Sequence, residues 1–418
     1  KTFRSAYFAL DITDPANPPK LLWEFTDPDL AFTMSYPAVA KVGDNWYVIV
    51  GSGPTAYDGT SNQNAKIFVL DLKTGQKLST NATFNLAEAN AFMADPITVD
   101  VDLLIKDVGD SYATDVAYIG ETYNNGNWKG KLFRVSLKDD PTPAKWSVST
   151  LYETDNGQPI TTPPAIAMDN DKKNLWVYLG TGRFLKPDDK TDTNIQGLYG
   201  IKEPCWNGSV FSNTCTTTII KSTLYPSSNV VVYKGGEVLD NDNGAANNFN
   251  NLISYITTNK KGWYINLSTS ITGGERVLSK PVIFGGIVLF TTFAPTSNIC
   301  SYGGDGYLYA LYYETGTAYM QSVIGTVTEA GKEVVLKKIS LGPGIPSQVG
   351  LHIGTKETLG GGGGALGGLD VSCGGPANSS GLKVTAFVQG SSGQITQQTI
   401  GPAINTNSRV ITWREKEK

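Results

Sequence analysis

The segment VDVDLLIKDVGDSYATD, from Val99 to Asp115, carries Asp100, Asp102, Asp107, Asp110 and Asp115 against one base, Lys106. Carboxylates at this density either splay into water as a solvated turn or fold inward as a cage for a hard cation. Strand alternation ahead of the loop puts Ile97, Val99 and Val101 on one face and Asp100 with Asp102 on the other. Further on, Asp107, Gly109, Ser111 and Asp115 fall at positions 1, 3, 5 and 9 of an oxygen-rich loop. Alternate residues turn their oxygens inward in calcium loops, and this spacing resembles theirs. Gly109 interrupts the series and Asp110 is out of phase. Two carboxylates ~5 Å apart repel by about 3 kcal/mol at an effective dielectric near 20, and by under ~1 kcal/mol in water. Convergence therefore demands a cation, and splaying does not. The candidate Ca2+ ligands are Asp100, Asp102, Asp107, Asp110, Ser111 and Asp115. A second acidic run, DNDNG at 240–244, is a poorer match.

Other reactive residues are sparse. Cys205 and Cys215 bracket the short loop CWNGSVFSNTC, while Cys300 and Cys373 lie in Gly-, Ser- and Asn-rich surroundings. No CxxC or CxxCH occurs, so zinc ribbons, dithiol redox chemistry and c-type haem have no support. An even count of four fits two disulfides made in an oxidising compartment; four buried thiols are the alternative. Closing Cys205 to Cys215 contributes roughly 2–3 kcal/mol in the chain-entropy picture. His352 is the single histidine, and no triad or zinc site can be assembled around it; it reads as a loop or packing residue. The glycine run at 360–370 lacks the GK[ST] of a phosphate loop. No catalytic residue is predicted, and the chain reads as a non-enzyme.

Composition narrows the classes further. With 40% hydrophobic and 17% charged residues, the 418-residue chain buries a core and is not disordered as a whole. A net charge of -4 leaves no electrostatic footprint for nucleic acid. The longest apolar run, VIFGGIVLF, is too short to span a bilayer. The N-terminal KTFRSAYFALDI enters a strand almost at once and has no apolar signal core. The expectation is the C-terminal portion of a longer exported protein, residues 1–418 forming one domain.

What positions these residues is a repeat of strands. An aromatic followed by aliphatics recurs in AYFALDI (6–12), KIFVLDL (66–72), KLFRVSL (131–137), GLYGI (197–201), WYINL (263–267) and YLYALYY (307–313). A second element precedes it: WYVIVGSG (46–53), DVAYIGE (115–121), LWVYLGTG (175–182) and IVLFTTF (287–293). A proline-bearing third precedes that: SYPAVAKV, ADPITVDV, TPPAIAM and SKPVIFG. Each unit thus reads as strand, hairpin, strand, loop, strand, turn, strand. A four-stranded unit cannot bury both faces alone, and radial stacking buries them. The expected fold is all-β: a β-propeller of about seven blades, with AYFALDI and RVITWRE (409–415) pairing to close the ring. A β-sandwich is the rival and predicts no long-period repeat. Residues 186–196, 239–251 and 360–370 read as inserted loops, and 99–115 as an enlarged hairpin connection.

These segments, collinear over nearly the whole chain, resemble the C-terminal domain of the PilY family, the tip-associated adhesins and assembly factors of type IV pili. The most specific stretch is GWYINL…GERVL…P followed by TTFAPTSNIC. The resemblance implies a modified quinoprotein-like propeller, exported through the periplasm and displayed extracellularly, at the pilus tip or outer cell surface. It also implies a calcium loop in one blade, of form D-x-D-x-D-x-x-x-D leading into D-x-x-Y, that regulates pilus extension and retraction. Asp107 matches the first position and Asp115-Val-Ala-Tyr118 the end. Gly109 does not match the second and Ser111 is a weak third; Asp100, Asp102 and Asp110 are the carboxylates that would compensate.

The leading functional expectation is a non-enzymatic adhesion and assembly module. Its partners would be minor pilins or other pilus tip subunits and a surface or host ligand, met by loops 186–196, 205–215 and 239–251. Exchanging those loops is expected to alter adhesion without altering thermal stability. The rivals are a purely structural scaffold for other pilus subunits and a quinoprotein dehydrogenase. The latter usually stacks its quinone on a vicinal disulfide, and no adjacent Cys-Cys exists here.

Overall fold

The computed structural model describes residues 5–78, 83–101, 113–241, 244, 246–270, 273–296, 302–355 and 382–403. An N-terminal hairpin pairs β1 (Tyr7–Asp11) with β2 (Lys20–Phe25). The first large sheet runs in chain order through β3 (Ala38–Val42), β4 (Asn45–Gly51), β5 (Lys66–Asp71) and β6 (Thr83–Asn85). The second repeats that antiparallel order with β7 (Ala91–Val99), β8 (Val116–Asn124), β9 (Trp128–Ser136) and β10 (Ser147–Glu153). The third opens with β11 (Ala165–Met168), β12 (Leu175–Gly180) and β13 (Gly197–Lys202).

A long insertion then intervenes. It holds β14 (Tyr225–Pro226), the hairpin of β15 (Val230–Val232) with β16 (Val238–Asp240), and the helix α1 (Phe249–Asn259). β17 (Gly262–Asn266) returns to the third sheet beside β13, with β14 parallel on its far side. After a short ladder of β18 (Thr269–Ser270) and β19 (Gly273–Gly274) comes the fourth sheet. There β20 (Arg276–Val277) and β21 (Val282–Phe284) both pair with β22 (Ile287–Pro295). β23 (Gly304–Tyr312) follows. The inserted hairpin β24 (Thr326–Glu329) and β25 (Lys332–Val335) precedes the outer strand β26 (Lys338–Pro343). A three-stranded sheet of β27 (Gly350–Thr355), β28 (Leu382–Gln389) and β29 (Ile395–Ile400) ends the described chain.

The second strands are apolar on both faces because each sheet is covered on both sides. Period two divides them cleanly. On β4 and β5, Tyr47, Ile49, Ile67 and Val69 join the core shared with the second sheet, and Val48, Val50, Phe68 and Leu70 the core under the N-terminal hairpin. On β8, Ala117 and Ile119 face the first sheet, while Val116 and Tyr118 face the third. On β12, Val177 and Leu179 look back and Trp176 and Tyr178 look forward to the fourth. Sheets packed face to face in succession, each with one core behind and one ahead, are the arrangement of a propeller.

The recurring glycine of the second element follows from that packing. The chain entering the next sheet crosses this strand so closely that a Cβ at Gly51, Gly120 or Gly180 would lie 2.2 Å from Met93, 2.5 Å from Ile160 or 2.4 Å from Val277.

Three expectations need correction. WYINL is not the aromatic-led strand of a further unit; it is β17, the fourth strand of the third sheet, lying between β13 and β14 and paired Tyr199↔Tyr264 and Gly200↔Trp263. Gly200 permits this, since a Cβ there would sit 2.4 Å from the Trp263 ring. Residues 239–251 are not a free loop, because they finish β16 and start α1, capped by the Asn248 side chain accepting from the Asn251 N–H at 2.9 Å. Phe249, Leu252 and Ile256 carry the helical spacing there and are buried. Residues 186–196 are an insertion between β12 and β13, as expected, and hold a 3-10 turn, Pro187–Thr191, with Asp189 buried. Finally, β7 ends at Val99 and the backbone at Val101 is helical, so strand alternation does not reach Asp100, while Asp102 lies outside the described residues. The glycine run at 360–370, the closing strand at 409–415, Cys300 and Cys373 lie outside the described residues, whereas His352 is exposed on β27.

Candidate functional site

The acidic connection leaves the second sheet at its β7–β8 end. The last paired rung is Val99↔Val116, so Asp100 and Asp115 are the first residues beyond it, one on each strand. Backbone bonds clamp this mouth: the Asp115 N–H donates to the Val99 carbonyl at 3.0 Å, and the Thr114 N–H to the Lys41 carbonyl at 2.7 Å. The Lys41 N–H in turn donates to Thr114 Oγ1 at 3.1 Å, tying the mouth to the first sheet. Asp115 Oδ2 accepts the Val101 N–H at 2.6 Å. That carboxylate therefore bonds the backbone N–H of Val101, where the chain leaves extended geometry. Asp100 and Asp115 are both half-buried. Asp102, Asp107, Asp110 and Ser111 lie outside the described residues, and among the described residues no group of three or more metal-ligating side chains converges.

The disulfide loop sits beside that mouth. Cys205 and Cys215 are bonded, with Cα atoms 5.4 Å apart. Ser136, which pairs with Val116 next to Asp115, donates to Asn213 Oδ1 of the loop at 3.1 Å. Trp206 and Phe211 from the loop share one core cluster with Val99 and Val101. The tip at Asn207, Ser209 and Val210 is exposed.

Beneath the loop lies a buried polar knot. Glu203 accepts from Arg134 Nε at 3.0 Å, the Tyr118 hydroxyl at 2.8 Å and the Cys205 N–H at 2.9 Å. Arg134 Nη2 closes the ion pair at 2.7 Å. Burial and the Glu203 charge push the Tyr118 phenol well above its ordinary value, so it stays a donor. Charge-assisted bonds of this kind are the form in which buried charges persist.

Loop 186–196 is riveted in a similar way. Arg183, stacked over the Trp128 ring at 3.7 Å, donates to Asp189 Oδ1 at 2.5 Å. Arg276 donates to the carbonyls of Arg183, Asp189 and Asp192. The inserted hairpins of the third and fourth sheets also join, through a Tyr233↔Val334 bridge and the ion pairs Lys234–Glu333 and Lys332–Glu237. Reasoning from sequence missed Arg134, Glu203, Arg183 and Arg276. The available signal was a charge inside an apolar strand, as in KLFRVSL.

Residues 4–224 match the family model described as the PilY1 β-propeller domain. A type IV pilus biogenesis factor PilY1 homolog of Xylella fastidiosa is 27% identical over 325 residues, 74% of this chain and 23% of that protein. The type IV pilus biogenesis factor PilY1 of Pseudomonas aeruginosa strain UCBPP-PA14 is 28% identical over 361 residues, 74% of this chain and 29% of that protein. The chain thus spans about a quarter of the length of these curated relatives. The crystal structure of the Pseudomonas aeruginosa PilY1 C-terminal domain superposes with a TM-score of 0.62 at 21% identity, over 95% of this chain and 79% of that one. Among the described residues no helix is long and apolar enough to cross a membrane.

Proposed function

The chain belongs to the PilY1 β-propeller family, and from that premise we propose that it is the non-enzymatic propeller of a type IV pilus biogenesis factor, working outside the cell at the pilus tip or outer surface. The supporting observation is the second sheet's rim. There the clamped mouth of the acidic connection lies beside a disulfide-braced loop whose tip is exposed. Loops on a rigid scaffold can vary without disturbing the strands beneath them. The rim would meet minor pilins or other tip subunits and a surface ligand, and the buried knot beneath keeps its shape.

Ca2+ is the ion proposed for the acidic connection, with Asp100, Asp102, Asp107, Asp110, Ser111 and Asp115 as its ligand set. Hard oxygen donors and net negative charge suit it. Calorimetric titration of the domain with Ca2+, repeated on Asp107→Ala and Asp115→Ala, tests that part. Heat in the parent and none in the variants is expected, while equal heats in all three would return the loop to a solvated turn. For the wider reading, the full-length protein lacking this propeller is expected to leave cells without surface pili. Normal piliation and adherence would overturn it.

A further inference from the structure

One carboxylate has no part in that rim. Glu121 lies on β8, on the face that carries Ala117, Ile119 and Tyr123 into the core shared with the first sheet. It is 0% exposed, and neither oxygen has a hydrogen-bond partner among the described residues. The repeat makes its chemistry singular. The residue after the close-approach position is Ser52 in the first sheet, Thr181 in the third and Thr292 in the fourth. Ser52 Oγ accepts the Lys66 N–H at 2.8 Å, and Thr181 Oγ1 accepts the Gly197 N–H at 2.8 Å. In the second sheet the matching rung, next to Gly120↔Leu132, sets Glu121 against Lys131, and the hydroxyl's place is taken by an acid.

The register sets Glu121 directly opposite Lys131 on β9 and Met93 on β7, and Lys131 opposite Glu153 on β10. Lys131 does not bond Glu121. Its ammonium pairs instead with Glu88, in the crossover between β6 and β7, which also accepts from Asn125 at 3.1 Å. Glu153 is already served by Lys129 at 2.7 Å and the Tyr123 hydroxyl at 3.1 Å. From the first sheet, Tyr47, Ile49, Ile67 and Val69 bring no charge, and the Tyr47 hydroxyl donates to the Pro141 carbonyl. The fourth sheet shows the other solution. There the buried Glu275 takes Lys338 at 2.8 Å and the Thr292 hydroxyl at 2.5 Å.

We infer that Lys131 is the arm of a two-position latch set by the proton on Glu121. With Glu121 protonated, the arm reaches over the sheet boundary and holds the 86–90 crossover through Glu88. With Glu121 ionised, the arm turns to the opposed carboxylate, as Lys338 does with Glu275, and releases Glu88. Burial, then the charges of Glu88 and Glu153, push the Glu121 carboxyl up to about 8 against the pull of Lys131, so the latch is closed at neutral pH and opens in mild alkali.

The test is amide hydrogen exchange at Leu86 and Ala91, whose N–H groups hold the two ends of the crossover to the Ala65 and Gln63 carbonyls at 3.0 and 2.9 Å, corrected for intrinsic rates, from pH 6 to pH 9.5. In the parent protein, protection is expected to fall about fivefold as pH rises through the Glu121 transition, the scale of one half-exposed ion pair. Glu121→Gln, which cannot ionise, should stay protected throughout, and Glu121→Thr, which restores the hydroxyl of the other sheets, should do the same. Glu88→Gln should be weakly protected at every pH. A parent profile that is flat, or one that persists unchanged in Glu121→Gln and Glu121→Thr, would overturn the latch.

Discussion

Arg134 on β9 and Glu203 beyond β13 belong to different sheets, yet their side chains meet at 2.7 Å with exposures of 1% and 0%. The pair joins the second sheet to the third directly beneath the disulfide loop. Removing one member strands the other in the core. Arg134→Met is therefore expected to cost about 3–5 kcal/mol in chemical denaturation. Arg134→Met with Glu203→Gln should cost less than the sum of the two, since no buried charge then lacks a counterion. Additive costs would mean the pair does not couple the sheets.

The disulfide acts on the unfolded chain as well as on the rim. Cys205 and Cys215 close a loop of sequence separation 10. Replacing both with serine should lower stability by about 3 kcal/mol in the chain-entropy picture. The denaturation midpoint of the parent should also fall on full reduction. An unchanged midpoint would show that Trp206 and Phe211 alone secure the loop.

The repeat, the propeller and the Cys205–Cys215 candidate were legible because they rest on local patterns: period-two strands, proline and glycine punctuation, and cysteine spacing. GWYINL, the fourth strand of the third sheet, was misread because β13 and β17 pair across a long insertion, and no local pattern reports a partner that distant. The helix at Phe249 was hidden by Asn-rich flanks that look like a loop, although Phe249, Leu252 and Ile256 keep helical spacing. Of the acidic connection, only Asp100 and Asp115 are placed at one mouth. Arg134 and Glu121 were passed over because a charge within an apolar strand says nothing of which face it takes until the register is known, and Glu203 because it lies just past the end of β13.

The close-approach glycines yield a coupled prediction. Gly120→Ala would put a Cβ 2.5 Å from Ile160 Cγ2, at a crossing between the second and third sheets. It should cost about 1–3 kcal/mol by overpacking. Ile160→Ala alone should cost about 2–5 kcal/mol by leaving a cavity. Together they should cost less than the sum, because alanine at 160 lacks the Cγ2 that the new methyl meets. Strict additivity would place the strain elsewhere.

Glu314, after β23, gives a pH signature of its own. Burial pushes its carboxyl up to about 7, with Asp169 and Asp171 adding to the rise and the Tyr312 hydroxyl, at 3.1 Å, opposing it. An acid whose folded pKa is raised binds its proton better folded than unfolded. Its contribution to stability is therefore present below the unfolded value near ~4.3 and falls as pH rises toward 7. Glu314→Gln should match the parent near pH 4.5 and exceed it at pH 8 in urea midpoint. A constant difference across that range would mean Glu314 ionises freely in the fold.

Stability and surface recognition separate at two neighbouring loops. Arg276 donates to the carbonyls of Gly274, Arg183, Asp189 and Asp192 at 3.0, 3.1, 2.6 and 3.0 Å, so the 186–196 loop is built around a buried guanidinium. Each orphaned carbonyl costs about 1–3 kcal/mol. Arg276→Met, or exchange of 186–196, is expected to lower the melting temperature, against the expectation from sequence that this loop is freely exchangeable. Val210, 61% exposed at the tip of the disulfide loop, carries no such load. Val210→Asp should keep the parent's melting temperature and reduce adherence of piliated cells. If Val210→Asp instead unfolds the domain, the tip is part of the fold and cannot serve as a free contact surface; if adherence is unchanged, recognition lies on another part of the rim.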